Sequence, residues 1–155
     1  MTSTSPEARL AELGIELPAQ MTPAGAYVPA VRSGNLVFTS GQGPVSGDRI
    51  ITGKVGDTVD LETAKEAARL TALQCLAAVR AEIGSLDRVT RVVKVFGMVN
   101  TAPGFNQTPA VIDGCSQLLL EVFGERGRHA RSAVGQAALP FDIAVEIEMI
   151  VEVEA

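Results

Sequence analysis

Residues 129–150 read HARSAVGQAALPFDIAVEIEMI, and the parsing of this stretch decides the fold. It reads as two apolar strands, Arg131 to Ala137 and Ala144 to Val153, joined by a turn at Leu139-Pro140-Phe141-Asp142. Side chains alternate between the faces of a strand. Val145, Ile147, Met149, Val151 and Val153 therefore share one face, and Glu146, Glu148, Ile150, Glu152 and Glu154 the other. The same alternation puts Arg131, Ala133, Gly135 and Ala137 on one face. Arginine and glutamate are seldom fully buried unless they are paired or used. Small residues beside an arginine leave an open groove, and a guanidinium at its mouth can hold a carboxylate through two parallel hydrogen bonds. A nearby glutamate can orient a water or relay a proton. On the pattern alone the carboxylates also suit a solvated sheet face, and both readings stay open at this point.

Working outward, a helix is predicted from about Thr108 to Phe123, ended by Gly124, and before it a strand from Arg88 to Val99 with apolar residues on both faces. Asp60 caps a long helix reaching about Ile83. Its Ala64, Ala67, Ala68, Thr71, Cys75, Ala78 and Val79 recur at helical steps, and its alanines let it lie close to a sheet. Tyr27 to Arg32 and Leu36 to Ser40 form a hairpin around Ser33-Gly34-Asn35, with Pro29 placing the first strand at an edge or bulge. The glycine-rich run after Ser40 predicts loop with a short strand near Ile50. Ser5-Pro6-Glu7 opens a short helix that Gly14 ends, with Leu10 and Leu13 as its apolar contacts. Residues 1–22 thus form a leader with a short helix, and residues 23–155 a single domain. Two helices covering one face of a mixed sheet leave the other face bare. A large bare apolar face calls for a partner, most simply a second copy of the chain.

Composition narrows the function. A chain of 155 residues with 46% hydrophobic and 20% charged residues suits one globular domain. A net charge of −5 argues against broad nucleic-acid binding, which depends on neutralising phosphates. Arg126, Arg128 and Arg131 lie close in sequence, and Arg126 and Arg128 read mainly as a basic helix end. Cys75 and Cys115 read as buried reduced thiols, and with a single histidine, His129, they do not make a structural zinc site. Any Ser-His or Cys-His pair would need His129. No nucleophile elbow, P-loop, dinucleotide fingerprint or zinc-protease motif is present. Chemistry then falls to arginine, carboxylates, Tyr27, backbone groups and water, with no metal or organic cofactor required. The N-terminal stretch has no basic start followed by an apolar core, and no apolar run approaches the ~18 residues of a membrane span. The expected location is the cytoplasm.

The run ARSAVGQAALPFDIAVEIEMI has an Ala-Arg-Ser opening, a Leu-Pro turn and a Val-Glu-Ile-Glu strand, and LVFTSGQGPV supplies a strand ending in Ser-Gly-Gln. In these features, and from about Tyr27 to Val153, the chain resembles the RidA/YjgF family, the reactive intermediate deaminases, also labelled "endoribonuclease L-PSP". It looks like a divergent branch of that family. The resemblance implies an α+β, chorismate-mutase-like fold, a β-β-α-β-α-β mixed sheet with two helices on one face. It also implies a homotrimeric barrel with ligand clefts between subunits.

For the site, the resemblance implies that Arg131 holds a substrate carboxylate and that Glu146 positions the hydrolytic water. The backbone at Ala133, where many relatives carry cysteine, contacts the ligand. Tyr27 borders the cleft from the other side, with Ser40 and Gly41 at the matching loop. Asp113 stands where the deaminase branch has an asparagine, and an acid there repels a bound carboxylate unless it is protonated or turned away. The implied activity is hydrolytic deamination of enamine/imine intermediates, as in 2-iminobutanoate/2-iminopropanoate deaminases, or of a related small carboxylate-bearing metabolite. The alternatives are a non-catalytic small-molecule-binding protein of the same fold and an endoribonuclease.

Overall fold

The computed structural model describes residues 4–155. Its first element, α1 (Pro6–Glu12), begins at Ser5, whose side chain accepts a hydrogen bond from the Ala8 N–H. Two short strands follow, β1 (Ala30–Ser33) and β2 (Leu36–Thr39), then a small hairpin of β3 (Val45–Ser46) and β4 (Arg49–Ile50). Helix α2 (Leu61–Ile83) is capped by Asp60, which accepts from the Thr63 N–H at 2.8 Å. Strand β5 (Val89–Asn100), helix α3 (Thr108–Phe123), β6 (Ala130–Gln136) and β7 (Val145–Val153) complete the chain. The first strand is shorter than the expected Tyr27–Arg32: it starts only after Pro29, which has no N–H for a ladder.

The main sheet runs in the order β1-β2-β7-β5-β6. Its pairs are antiparallel except β5 with β6, which is parallel. Residues 129–150 form the two strands joined by a turn, and the structure adds which strands they pair with. Strands β6 and β7 do not pair; both pair with β5, one on each side. Parallel pairing of β5 and β6 demands a crossover, and α3 supplies it. Segment 137–144 then spans the end of β5 and brings the chain back as β7 between β5 and β2. The result is the α+β, chorismate-mutase-like arrangement, with the two long helices packed on one face.

The core lies between that face and the helices. Val145, Ile147, Met149, Val151 and Val153 are buried, as their alternation predicts, with Val92, Val95 and Val99 beside them. Helix α2 presents Ala64, Ala67, Ala68 and Ala72, all fully buried, and Cys75 and Cys115 are buried free thiols. Burial pushes the Cys115 thiol up to about 12 and Cys75 well above its ordinary value, so neither is a thiolate near neutral pH. Helix α1 is clamped to the same layer. Glu7 Oε1 accepts from the Leu86 N–H and Oε2 pairs with Arg80, while Arg9 donates to the Glu121 carbonyl. The opposite face of the sheet is uncovered and exposes Val31, Phe38 and Val134.

Two glycines set the spacing of these layers. A Cβ on Gly114 of α3 would lie 2.1 Å from the Lys65 carbonyl oxygen of α2, and one on Gly97 of β5 would lie 2.6 Å from Ile112 of α3. Because the Gly114 clash is with backbone, no side-chain rotation relieves it. Gly114→Ala is expected to destabilise the protein by about 1–3 kcal/mol or more, as overpacking does. Thermal melts should then show a loss of about 2–4 °C per kcal/mol.

Candidate functional site

Arg131 leaves β6 on the face covered by helices and lies against α3, with 22% of its side chain exposed. Its Nη1 donates to Asp113 Oδ1 at 2.7 Å and to Ser116 Oγ at 3.1 Å, and its Nη2 reaches the Pro109 carbonyl at 3.4 Å. Asp113 and Ser116 are three residues apart on α3, which places both on one side of the helix. The chain of contacts continues through Ser116 Oγ to His129 Nε2 at 2.9 Å, and His129 Nδ1 lies 2.6 Å from the Gly127 carbonyl. A carbonyl oxygen only accepts, so Nδ1 donates to it. Ser116 Oγ accepts from Arg131 and shares a hydrogen bond with His129 Nε2. On the next inward position of β6, the Ala133 carbonyl accepts from Thr108 Oγ1 at 3.0 Å.

Glu146 leaves β7 on the other, uncovered face. It lines a cavity of about 450 Å³ whose walls include Met21, Tyr27, Pro29, Ile50, Phe141 and Ile143. Gly41 makes room for its carboxylate, since a Cβ there would lie 2.9 Å from Glu146 Oε2. Ser40 stands behind the wall: its Oγ donates to the Val28 carbonyl at 2.6 Å and its N–H to Pro29 at 2.8 Å, which pins the segment bearing Tyr27. Burial raises the Glu146 pKa above its ordinary 4.5, and the Glu148 carboxylate on the same face adds to the rise.

The turn after β6 shapes the cavity mouth. Phe141 and Asp142 both have φ of 57°, in the left-handed region, where a non-glycine residue costs about 1–3 kcal/mol. The surroundings enforce it. Asn100, fully buried, donates from Nδ2 to Asp142 Oδ1 at 2.9 Å and accepts from Lys54 Nζ at 2.7 Å, while the Gly53 N–H donates to the Asp142 carbonyl at 2.8 Å. Phe141 is left 80% exposed at the rim.

Of the residues predicted for the site, Tyr27, Gly41 and Glu146 meet in this cavity, with Ser40 as their support. Arg131, Asp113 and Ala133 meet on the other side of the sheet. The register shows why. Val95 pairs with both Arg131 and Met149, whereas Met98 pairs with Val134 and Glu146. Positions 131 and 146 are therefore of opposite parity, and one chain does not bring the guanidinium and the carboxylate together. The open groove expected beside Arg131 is roofed by α3. Arg126 and Arg128 do not join it: Arg126 donates to the Val89 carbonyl and Arg128 pairs with Glu125. Sequence reasoning named His129 as the histidine a Ser-His pair would need but did not place it beside Arg131; it missed Ser116 and gave Phe141 only as part of the turn. The signal available for Ser116 and His129 was the spacing of Asp113 and Ser116 on one helix, with His129 two residues before Arg131. Among the described residues no group of three His, Cys, Asp or Glu side chains is placed to hold a metal ion, and no helix is long and apolar enough to cross a membrane.

The family described as "YjgF/chorismate mutase-like, putative endoribonuclease" matches residues 7–153. The chain belongs to this family. Its relatives include protein TCP17 of Trypanosoma cruzi, 47% identical over 94% of this chain and 92% of that protein. A 2-iminobutanoate/2-iminopropanoate deaminase of Dermatophagoides farinae is 32% identical over 90% of this chain and 95% of that protein. The crystal structure of a "putative endoribonuclease" from Shewanella oneidensis superposes with a TM-score of 0.93 at 31% identity, covering 96% of this chain and 99% of that one. In this chain the Arg131 and Glu146 clusters stand on opposite faces of one sheet.

The Glu146 shift has a sign that can be measured. With the folded pKa raised, the protonated carboxyl contributes stability that is fully present below about pH 4.5 and is lost as pH rises through the raised folded value. Glu146→Gln, neutral at every pH, should therefore melt higher than the wild type at pH 7. The gain should vanish below pH 4.5, and thermal melts across that range test it.

Proposed function

We propose that the protein hydrolytically deaminates reactive enamine/imine intermediates, or a related small carboxylate-bearing metabolite, in a cleft between subunits. Arg131 of one copy binds the carboxylate and Glu146 of another positions the water. The observation that carries this reading is Glu146: a half-buried carboxylate with a raised pKa, the one charged side chain lining an apolar cavity. Such a group is suited to general acid–base work. The separation of Arg131 from Glu146 within a chain fits a site completed by a second copy. Arg131 stands on the edge strand β6, and Glu146 on the uncovered face. The relative named as a 2-iminobutanoate/2-iminopropanoate deaminase supports the chemistry.

The reaction is simple to balance. A 2-imino acid carries a carboxylate and an electrophilic C=N carbon. Water adds to that carbon as one of its protons passes to nitrogen, giving a carbinolamine; the hydroxyl proton then passes to nitrogen as the C–N bond breaks, and ammonia leaves a 2-keto acid. These imines hydrolyse unaided, so holding substrate and water in line and moving two protons in turn suffices. Glu146 takes each proton in turn from the attacking oxygen and passes it to the nitrogen. Arg131 has donors left for a ligand: Nη1 is engaged by Asp113 and Ser116, while Nη2 makes one long bond to Pro109.

Asp113 favours a second reading, a non-catalytic binder of the same fold, because it already occupies part of the arginine at 2.7 Å. Imine generated by an amino acid oxidase and trapped with semicarbazide decides between them. The wild type should speed loss of imine. Glu146→Ala should slow kcat by about 10²–10⁴-fold, and Arg131→Ala should raise KM by about 10–100-fold. Ligand-induced stabilisation with no turnover would establish the binder instead. Light scattering should give the mass of three chains, and a stable monomer would remove the shared cleft.

A further inference from the structure

We propose that the Glu146 cavity selects 2-imino acids with bulky apolar side chains, aromatic ones above all, over those whose side chain is a methyl or ethyl group. The inference rests on the deaminase reading and names its substrate class. Three observations carry it.

The first is size. The cavity of about 450 Å³ falls among pockets that enclose drug-sized ligands, which span about 300–1,000 Å³. An imine with a methyl side chain leaves most of that space to water. The second is the division of chemistry within the cavity. Glu146 stands at one side beside Gly41, and the remaining walls are dominated by Met21, Tyr27, Pro29, Ile50 and Ile143. A ligand with its C=N carbon at the carboxylate and its carboxylate toward a neighbouring arginine must send its side chain along those apolar walls. An ethyl group covers little of them, and a benzyl group covers far more.

The third is Phe141. The fold holds this ring in a left-handed backbone conformation and leaves it 80% exposed, unfavourable on both counts. The tether through Asp142, Asn100 and Gly53 serves no core packing of the ring itself. It fixes Phe141 in the wall of the cavity that Tyr27 also lines, and Ser40 pins the segment of Tyr27 in turn. Two aromatic walls held in place before the ligand arrives reduce the ordering cost of binding a flat apolar group.

The test compares kcat/KM for the imines of phenylalanine and of alanine in the wild type and in Phe141→Ala, which keeps the Cβ at this left-handed position, and Phe141→Gly, which relieves the backbone strain. The wild-type ratio, phenylalanine over alanine, should exceed about 10, and both variants should lower that ratio by about 10-fold, the scale set by burying an aromatic side chain. A wild-type ratio at or below one, with turnover present, overturns the inference and leaves the deaminase reading standing. If no imine is turned over, the deaminase reading falls instead, and equilibrium binding of the 2-keto acids decides the cavity's preference. Binding of phenylpyruvate at least about 10-fold tighter than pyruvate, lost in Phe141→Ala, supports it. Equal or absent binding of the two overturns it.

Discussion

The contact on which the remaining architecture depends is the approach of α3 to its neighbours. At Gly114 the helix lies against the backbone of α2, and at Gly97 the strand beneath admits Ile112. With no Cβ at either point, α3 sinks into the angle between α2 and β5. Its depth fixes Asp113 and Ser116 on either side of Gly114, and these two side chains hold Arg131. The seating of the arginine is thus a by-product of helix packing and needs no loop to position it.

The strand period sets the second constraint. Because the helices cover only one face, every strand residue is committed either to the core or to the uncovered side. Arg131 has inward parity yet stands on the edge strand, where a polar head is reached by solvent past the end of the helix layer. Glu146 has outward parity and stands on a central strand, where only loops from the N-terminal half and the turn at Phe141 wall it in. The cation therefore lies at a rim and the carboxylate in a hollow.

Much of this was legible in the chain. Helices α2 and α3 fall where Asp60, the alanine period and the terminal glycines put them, because caps and periodicity are local signals. The burial of alternate residues along β7 was legible for the same reason. Strand adjacency was not, because alternation tells which side chains share a face but not which strand lies alongside. In the sheet β5 lies between β6 and β7, an arrangement that the crossover through α3 makes possible. The site inherits that gap: the parity of Arg131 relative to Glu146 depends on both strands being registered against Val95 and Met98. Phe141 was out of reach for another reason. Its left-handed backbone is imposed by the buried Asn100 some forty residues away, and no local propensity announces it.

The position of β7 has a consequence for how the molecule comes into being. The last strand of the chain is an interior strand of the sheet, bonded on one side to β2 and on the other to β5. Until it arrives, the N-terminal hairpin and the β5–β6 half have no common surface, and both helices lack the apolar floor supplied by Ile147, Met149 and Val151. A chain still being synthesised can form helices and a hairpin but no closed core. Folding must therefore join pieces from opposite ends of the sequence in one late step, the kind of non-local closure that slows folding and leaves strand edges open meanwhile. Damage to β7 would strike the middle of the sheet rather than fray its border.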